Sequence, residues 1–421
     1  MIGAGASGLV AAGRAAEKGA AVVLLEKMES PAKKILITGK GRCNVTNSAE
    51  LLDFVEAFGP NGRFLYTAFK KFFREDLLAF LGRLGVQTKA ERGGRIFPAS
   101  DDAGEVARAL VRYVEVNGVL LEKNKKVTAI RVRDGRVEGA ESEGKFWPAN
   151  AVILAAGGAS WPATGSSGDG FDLARQVGHS ITPLRPALVP LIVQEIELAR
   201  SMQDVSLRNV QLSAYACAAE EIQGSGEKKL LDRRFGEMLF THFGLAGPIV
   251  LLMSKKIVMA LEHGPVSVEI DLKPALSPRQ LNLRLQREFD RLGKQTLELI
   301  LKDLLPRKMV GPLAALSGIA ADKPANQISS VERERLASLL KALPFNIRGA
   351  LPLGSAMVTS GGVALEEINP RDMGSRLVAG LYFCGEVMDL DADTGGYNLQ
   401  AAFSTGYLAG DSAAAYLASL P

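Results

Sequence analysis

Gly3-Ala4-Gly5-Ala6-Ser7-Gly8 opens an Ala-rich run to Gly19, and the apolar stretch Ala21-Val22-Val23-Leu24-Leu25 then ends on Glu26. This is a G-x-G-x-x-G turn leading into a helix, with a strand and a terminal acid about 20 residues further on. Each residue type has a physical task. Gly3 permits the tight turn, Gly5 lets a diphosphate approach the backbone, and Gly8 lets helix and strand pack closely. The helix start at Ala6 and Ser7 offers unpaired N–H groups and a partial positive charge to phosphates. Glu26 is placed to accept hydrogen bonds from a ribose. The stretch therefore predicts a dinucleotide site in an α/β domain rather than an ordinary glycine turn. Only Met1 and Ile2 precede it, whereas strands usually run about 5–6 residues. The first strand, central in such a sheet, is expected to be cut short.

A chain of 421 residues has room for two or three domains and a sizeable core. Hydrophobic residues at 47% and charged residues at 23% are ordinary for a globular protein. The formal net charge of +4 is too small to argue for nucleic acid or an anionic membrane. Cys43, Cys217 and Cys384 stand far apart with no C-x-x-C pair, which points to a reducing cytoplasm without a disulfide framework. With three His and no His/Cys cluster, no built-in metal site is expected. No apolar run reaches the roughly 20 residues that span a bilayer, and the apolar N-terminal segment lacks the basic flank of a signal peptide. A soluble, cytoplasmic protein is expected.

Beyond Glu26-Lys27, the segment Ser30-Pro31-Ala32-Lys33-Lys34 leads into Ile35-Leu36-Ile37-Thr38-Gly39-Lys40-Gly41-Arg42-Cys43-Asn44-Val45-Thr46-Asn47. Its basic residues and paired glycines suit further phosphate contacts. Cys43 reads as a small packing residue more readily than as a reactive thiol, because no base adjoins it. Residues 51–90 read as helical, with a Phe stripe at helical spacing that belongs to a core. Asp101 and Asp102 precede a helix over Ala103–Asn117. Short strands follow, and the one around Val127 could offer its backbone to an adenine edge. Ala149–Gly158 is a buried strand ending in the double glycine Gly157-Gly158, where a bound group can approach the backbone. From about Pro183 a β-rich segment of about ninety residues begins, and 277–341 is charged and helical. Arg279, Arg284, Arg287 and Arg291 are interrupted by acids and read as a solvated helix face. His242, between aromatics, reads first as a packing residue and second as an acid/base candidate.

The C-terminal stretch decides which nucleotide is bound. Gly380-Leu381-Tyr382-Phe383-Cys384-Gly385-Glu386 is a buried strand running into a glycine and an acid, and Asp389, Asp391 and Asp393 follow. Thr394-Gly395-Gly396-Tyr397-Asn398-Leu399-Gln400 then opens an Ala/Gly-rich helix to Leu417. A nicotinamide enzyme has no use for this second glycine turn. A flavin enzyme does, because a helix N-terminus aimed at the flavin N1–C2=O edge stabilises the negative charge that builds on reduction. Glu386 or Asp389 could hold the ribityl or diphosphate region.

In combination, the turn Gly3–Gly8 with Glu26, the stretch Gly39–Asn47, Leu239–Pro248, Thr359-Ser360-Gly361-Gly362-Val363 and Gly385–Gln400 resemble the BaiN/YhiN-like (HI0933-like) bacterial FAD-dependent oxidoreductases. The resemblance implies a glutathione-reductase-like, Rossmann-type FAD-binding domain interrupted by a β-barrel and a small helical subdomain. The segments expected are 1–185 and 357–421 for the FAD domain, 186–276 for the barrel, 277–341 for the helical part, and 342–356 as a return through the insert. It implies FAD contacts near Ser7, Glu26-Lys27, Gly41-Arg42, Asn44, Val127, Gly157, Glu386 and Asn398-Leu399. Gly3, Gly5, Ala6, Gly8, Cys43, Ala156, Gly385, Asp389 and Gly396 complete the candidate cofactor set. Members of the family are linked to reduction of unsaturated bile-acid intermediates or to oxidation of aminoacetone.

The expected function is thus hydride transfer between FAD and a small organic substrate, with the flavin carrying the chemistry and the protein supplying orientation. There is no second G-x-G-x-x-G, so NAD(P)H, if it is the reductant, visits transiently. His242, Tyr397 and Arg42 are the candidates for a catalytic acid. The alternatives are an amine oxidase using oxygen, an RNA-associated flavoprotein, which would need a basic stripe interleaved with aromatics, and an FAD-binding protein without turnover.

Overall fold

The computed structural model describes residues 1–222 and 229–420. Residues 223–228, within the expected barrel segment, and residue 421, the end of the last expected segment, lie outside the described residues. The chain divides into two compact units, Met1–Arg185 with Leu353–Pro421, and Pro186–Pro352.

The first unit is built on a parallel sheet. Val23–Leu25 pairs with Leu120–Glu122 on one side, and Val152–Leu154 pairs with Leu381–Phe383 on the other. Ile2 joins the two halves, bridging Leu25 and Leu154 in parallel. Its N–H donates to Ile153 O at 3.0 Å, and its carbonyl accepts from Ala155 N at 2.9 Å. Ile2 thus sits at the centre of the sheet. Val152–Leu154 and Leu381–Phe383 are continuous apolar runs because both faces of the sheet are covered.

The helix Ala6–Glu17 leaves the sheet at the glycine turn and buries Leu9, Val10, Ala11 and Ala12. Against it lies the last helix, Tyr397–Ala418. The two come close because Gly406 and Gly410 face the backbone of the first helix. An added Cβ would stand 2.4 Å from Ser7 O at Gly406 and 2.4 Å from Ala11 O at Gly410. A three-stranded antiparallel meander, Val127–Arg133, Arg136–Ser142 and Lys145–Pro148, completes the unit. Its two-residue turns, Asp134-Gly135 and Glu143-Gly144, take positive φ throughout, as tight hairpins require. The stretch 51–90, expected helical, forms Leu51–Ala57, Tyr66–Lys71 and Arg74–Arg83, but its end, Thr88–Ala90, is a strand paired with Arg95–Pro98. Its stripe is core, with Phe54 and Phe69 fully buried.

Just past the helix Asp169–Gln176, His179 is sealed from solvent. Its Nδ1 lies 3.1 Å from Glu367 Oε2 and its Nε2 lies 2.8 Å from Ser375 Oγ, with Phe383 edge-on at 4.7 Å. Ser375 Oγ already accepts from Leu377 N and Val378 N. Its hydrogen therefore goes to Nε2, and the neutral ring donates from Nδ1 to Glu367. Burial pushes the imidazole below its ordinary 6.5, against the pull of Glu367. The cluster ties three chain segments together and has the satisfied geometry of a structural staple.

The second unit holds a closed six-stranded barrel. Its strands run Leu191–Val193, Gly244–Ala246, Leu230–Phe240, Ser206–Tyr215, Val266–Asp271 and Leu343–Ala350 in spatial order, each antiparallel to its neighbours. The helix Pro248–Leu261 adds Ile249, Val250, Met253 and Ile257 to the barrel core. Four further helices, Pro278–Arg291, Leu297–Leu304, Arg307–Ser317 and Ser330–Lys341, pack into the same core. Among the described residues no helix is long and apolar enough to cross a membrane.

Candidate functional site

A cavity in the first unit gathers residues that the sequence scatters over 400 positions. It is lined by Gly3, Gly5, Ala6, Ser7, Glu26, Lys27, Val127, Ala156, Gly157, Gly385, Glu386, Asn398 and Leu399. The glycine turn is shaped from below. A Cβ on Gly8 would stand 1.9 Å from Gly3 O, so only glycine lets the helix fold back under its own turn. The first helix has Gly5 as its N-cap, no capping side chain and no acid in its first turn. Its leading N–H groups are thus left to a ligand. The last helix likewise begins on Gly396 without a capping side chain.

At one end of the cavity Glu26 is fixed by Ala4 N at 2.7 Å and Met28 N at 2.8 Å. Lys27 beside it reaches Asp169 at 2.5 Å and also Ser167. Burial opposes ionisation of Asp169, but Lys27 and Lys126 hold its carboxyl below the ordinary range. Further along, Lys34 contacts Glu386 Oε2 at 2.6 Å and Ser160 Oγ at 2.7 Å. Glu386 Oε1 accepts from Thr359 N at 2.9 Å and Ser160 Oγ at 3.2 Å. Phe58, Met388 and Leu390 give the cavity apolar walls.

Other candidates lie off the cavity. A Cβ on Gly396 would meet Thr46 O at 2.3 Å, so this glycine serves a close packing contact. The Asp389 carbonyl accepts from Asn61 Nδ2 at 2.9 Å. The loop carrying Gly41, Arg42, Cys43 and Asn44 holds Gly39, Lys40, Gly41 and Cys43 at positive φ, strained for the lysine and the cysteine. Arg42 clamps that loop, pairing with Glu91 at 2.8 Å and Asp101 at 3.3 Å and stacking over Phe97 at 4.0 Å. Burial pushes the Cys43 thiol up to about 12, which fits packing and not thiolate chemistry. Asn44 Oδ1 is buried without a hydrogen-bond partner, an orphan acceptor suited to a donor on a bound ring.

Of the candidate acids, Tyr397 packs edge-on against Phe54 at 4.7 Å, and burial raises its phenol. His242 is exposed in the second unit, edge-on to Phe243 at 4.9 Å. Reasoning from the sequence missed Lys34, Ser160 and Thr359. Lys34 lay in the loop noted as basic, but nothing local distinguishes it from Lys33. Among the described residues no cluster of His, Cys, Asp and Glu could hold a metal ion.

Two uncapped helix starts and the acids Glu26, Asp169 and Glu386 facing one cavity define a Rossmann-type flavoprotein. The free helix N–H groups, close-approach glycines and apolar walls fit FAD. The HI0933-like protein Rossmann domain family matches residues 1–412, and the chain belongs to that family. It is 34% identical over 417 residues to the 3-dehydro-bile acid Δ(4,6)-reductase of Clostridium scindens, covering 98% of each chain. It is 29% identical over 420 residues to a ribosomal RNA dihydrouridine synthase of Haemophilus influenzae, covering 97% of this chain and 96% of that one. The fold is similar to 3-ketosteroid Δ1-dehydrogenase from Sterolibacterium denitrificans, with a TM-score of 0.53 at 15% identity over 98% of both chains. The protein is an FAD-dependent oxidoreductase.

Proposed function

We propose that this enzyme reduces a carbon–carbon double bond conjugated to a carbonyl in a small organic substrate, with electrons from NAD(P)H. The observation that supports the reading is that Glu26, the first helix start and Asn398-Leu399 of the last helix line one cavity. Gly3–Ser7 would hold the diphosphate, Glu26 the adenosine ribose, Val127 the adenine side and Asn398-Leu399 the pyrimidine edge. Bound FAD supplies hydride at N5. The last helix, with Asn398-Leu399 lining the cavity, would offer its N-terminal dipole to negative charge on the bound ring. In the overall balance a hydride adds to the β carbon, a proton adds to the α carbon, and NAD(P)H becomes NAD(P)⁺. The names of both relatives describe saturation of a ring double bond, which supports this chemistry and leaves the ring open.

The test is anaerobic mixing of holoenzyme with NADH or NADPH, followed by enones such as 4-androstene-3,17-dione and 2-cyclohexen-1-one. Bleaching of the flavin and its recovery on adding an enone are expected. Bleaching by an amine, with recovery only in oxygen, would replace this reading by that of an amine oxidase.

A second reading, in which the reduced ring is a uracil in RNA, is favoured by one surface. On the barrel strand Leu230–Phe240, Phe235 is 63% exposed and follows exposed Arg233, with exposed Arg208 on the neighbouring strand. An exposed aromatic among arginines is a stacking platform for unpaired bases, although Glu237 shares the face. RNA binding that weakens steeply with salt, and further with Phe235→Ala, would establish it.

Glu26→Ala is expected to weaken FAD binding by roughly 10–100-fold, because it removes a charged acceptor and leaves Ala4 N–H unpaired. Titration of the apoprotein, followed by flavin fluorescence, measures this directly.

A further inference from the structure

We propose that Lys34 is the charge-balancing residue of the cofactor cavity, a positioning residue that allows the acid Glu386 to share that cavity with a dianionic diphosphate. The short helix Lys33–Ile37 is strapped to the glycine turn, since Ala32 N donates to Ala4 O at 2.8 Å. Glu386 follows Gly385, where an added Cβ would stand 2.4 Å from Ser7 Oγ in the first turn of the first helix. Lys34 and Glu386 both line the cavity that this helix start, at Gly5, Ala6 and Ser7, also lines.

A carboxylate suits that place as an acceptor for sugar hydroxyls, and it is hostile to a diphosphate. The structure resolves the conflict locally. Lys34 and Glu386 are 25% and 20% exposed, so water screens them weakly, and their 2.6 Å contact cancels the acid's charge where it would repel. Ser160 fixes the pair, accepting from Lys34 at 2.7 Å and donating to Glu386 at 3.2 Å. Thr359 N holds the same carboxylate oxygen at 2.9 Å. An ammonium has three N–H bonds. Two serve Glu386 and Ser160, and the third remains for a group in the cavity that Lys34 lines.

The experiment is titration of the apoprotein with FAD, followed by flavin fluorescence, for wild type, K34M, K34R and K34M/E386Q. Circular dichroism of each apoprotein checks folding. K34M is expected to raise the dissociation constant by roughly 30-fold or more, because it leaves the Glu386 charge uncompensated. K34R, which keeps the charge, is expected to stay within about fivefold of wild type. K34M/E386Q is expected to bind at least about fivefold more tightly than K34M, because the repelling charge has gone. If K34M does not fold, K34Q takes its place in the same comparison. FAD affinity of K34M within about threefold of wild type would overturn the proposal. A double variant no better than K34M, or a K34R as weak as K34M, would overturn it as well.

Discussion

Gly406→Leu is expected to lose at least about 3 kcal/mol of stability, and Gly410→Leu a similar amount. At both positions the new side chain would run into backbone, Ser7 O and Ala11 O, each 2.4 Å from the ideal Cβ. Backbone carbonyls inside a helix cannot rotate away as a side chain can. The two helices would have to separate along their length, uncovering Leu9, Val10 and the alanines of the first helix. Separation would also displace the two helix starts that face the cofactor, so flavin should be lost together with stability. Gly82 gives the contrast. It lies in the helix Arg74–Arg83 with nothing within 4 Å of its ideal Cβ. Gly82→Ala is expected to stabilise by roughly 0.5–1 kcal/mol through helix propensity and a less flexible unfolded chain. Thermal melting of the three variants, with bound flavin quantified from its absorbance, checks both signs.

His179→Ala is expected to cost about 3 kcal/mol, from the cavity beneath Phe383 and from Glu367 and Ser375 left without their partner. A pH dependence should disappear with it. In the folded protein the imidazole is buried and neutral, with its pKa below the ordinary 6.5. The unfolded chain takes up a proton below about 6.5, and the folded protein does not until a lower pH. The contribution is therefore fully present above that value. It is lost as pH falls below it, by up to about 1.4 kcal/mol per pH unit, until the folded pKa is reached. Urea unfolding at pH 7, 6 and 5 measures the slope, which should be shallower in His179→Ala.

How much of this could be read in advance depended on whether the information was local. Gly3–Gly8 with Glu26 is a local pattern, because one turn, one helix and one strand fix the spacing of every residue in it. The strand end at Gly157 and the turn at Gly395-Gly396 were legible for the same reason. The pairing of Lys34 with Glu386 was not, because 352 positions separate them and only the tertiary fold of the first unit brings them together. His179, Glu367 and Ser375 were invisible in the same way. Two of the six barrel strands, Leu191–Val193 and Gly244–Ala246, have three residues each, too few for a period-2 signal to stand out. Gly406 and Gly410 registered only as part of an Ala/Gly-rich helix, since nothing in one helix says which of its faces meets another. Tyr397 and His242 drew notice for their chemistry, and the structure gives both rings aromatic neighbours.

The order in which the chain is made sets a schedule for the cofactor. Pro186–Pro352 is a continuous run with an apolar core drawn wholly from its own residues. It can collapse on the ribosome as soon as it emerges, having no need of the remaining chain. The first unit has no such independence. The edge strand that completes its sheet pairs Leu381 with Val152, and its last helix packs on its first across nearly 400 residues. Contacts of such high order close late and slowly. Until synthesis ends, the glycine turn at residue 3 stands in an unfinished sheet, without the acid at 386 or the helix that begins at 397. Flavin capture is therefore expected to follow the closing of the first unit's long-range contacts.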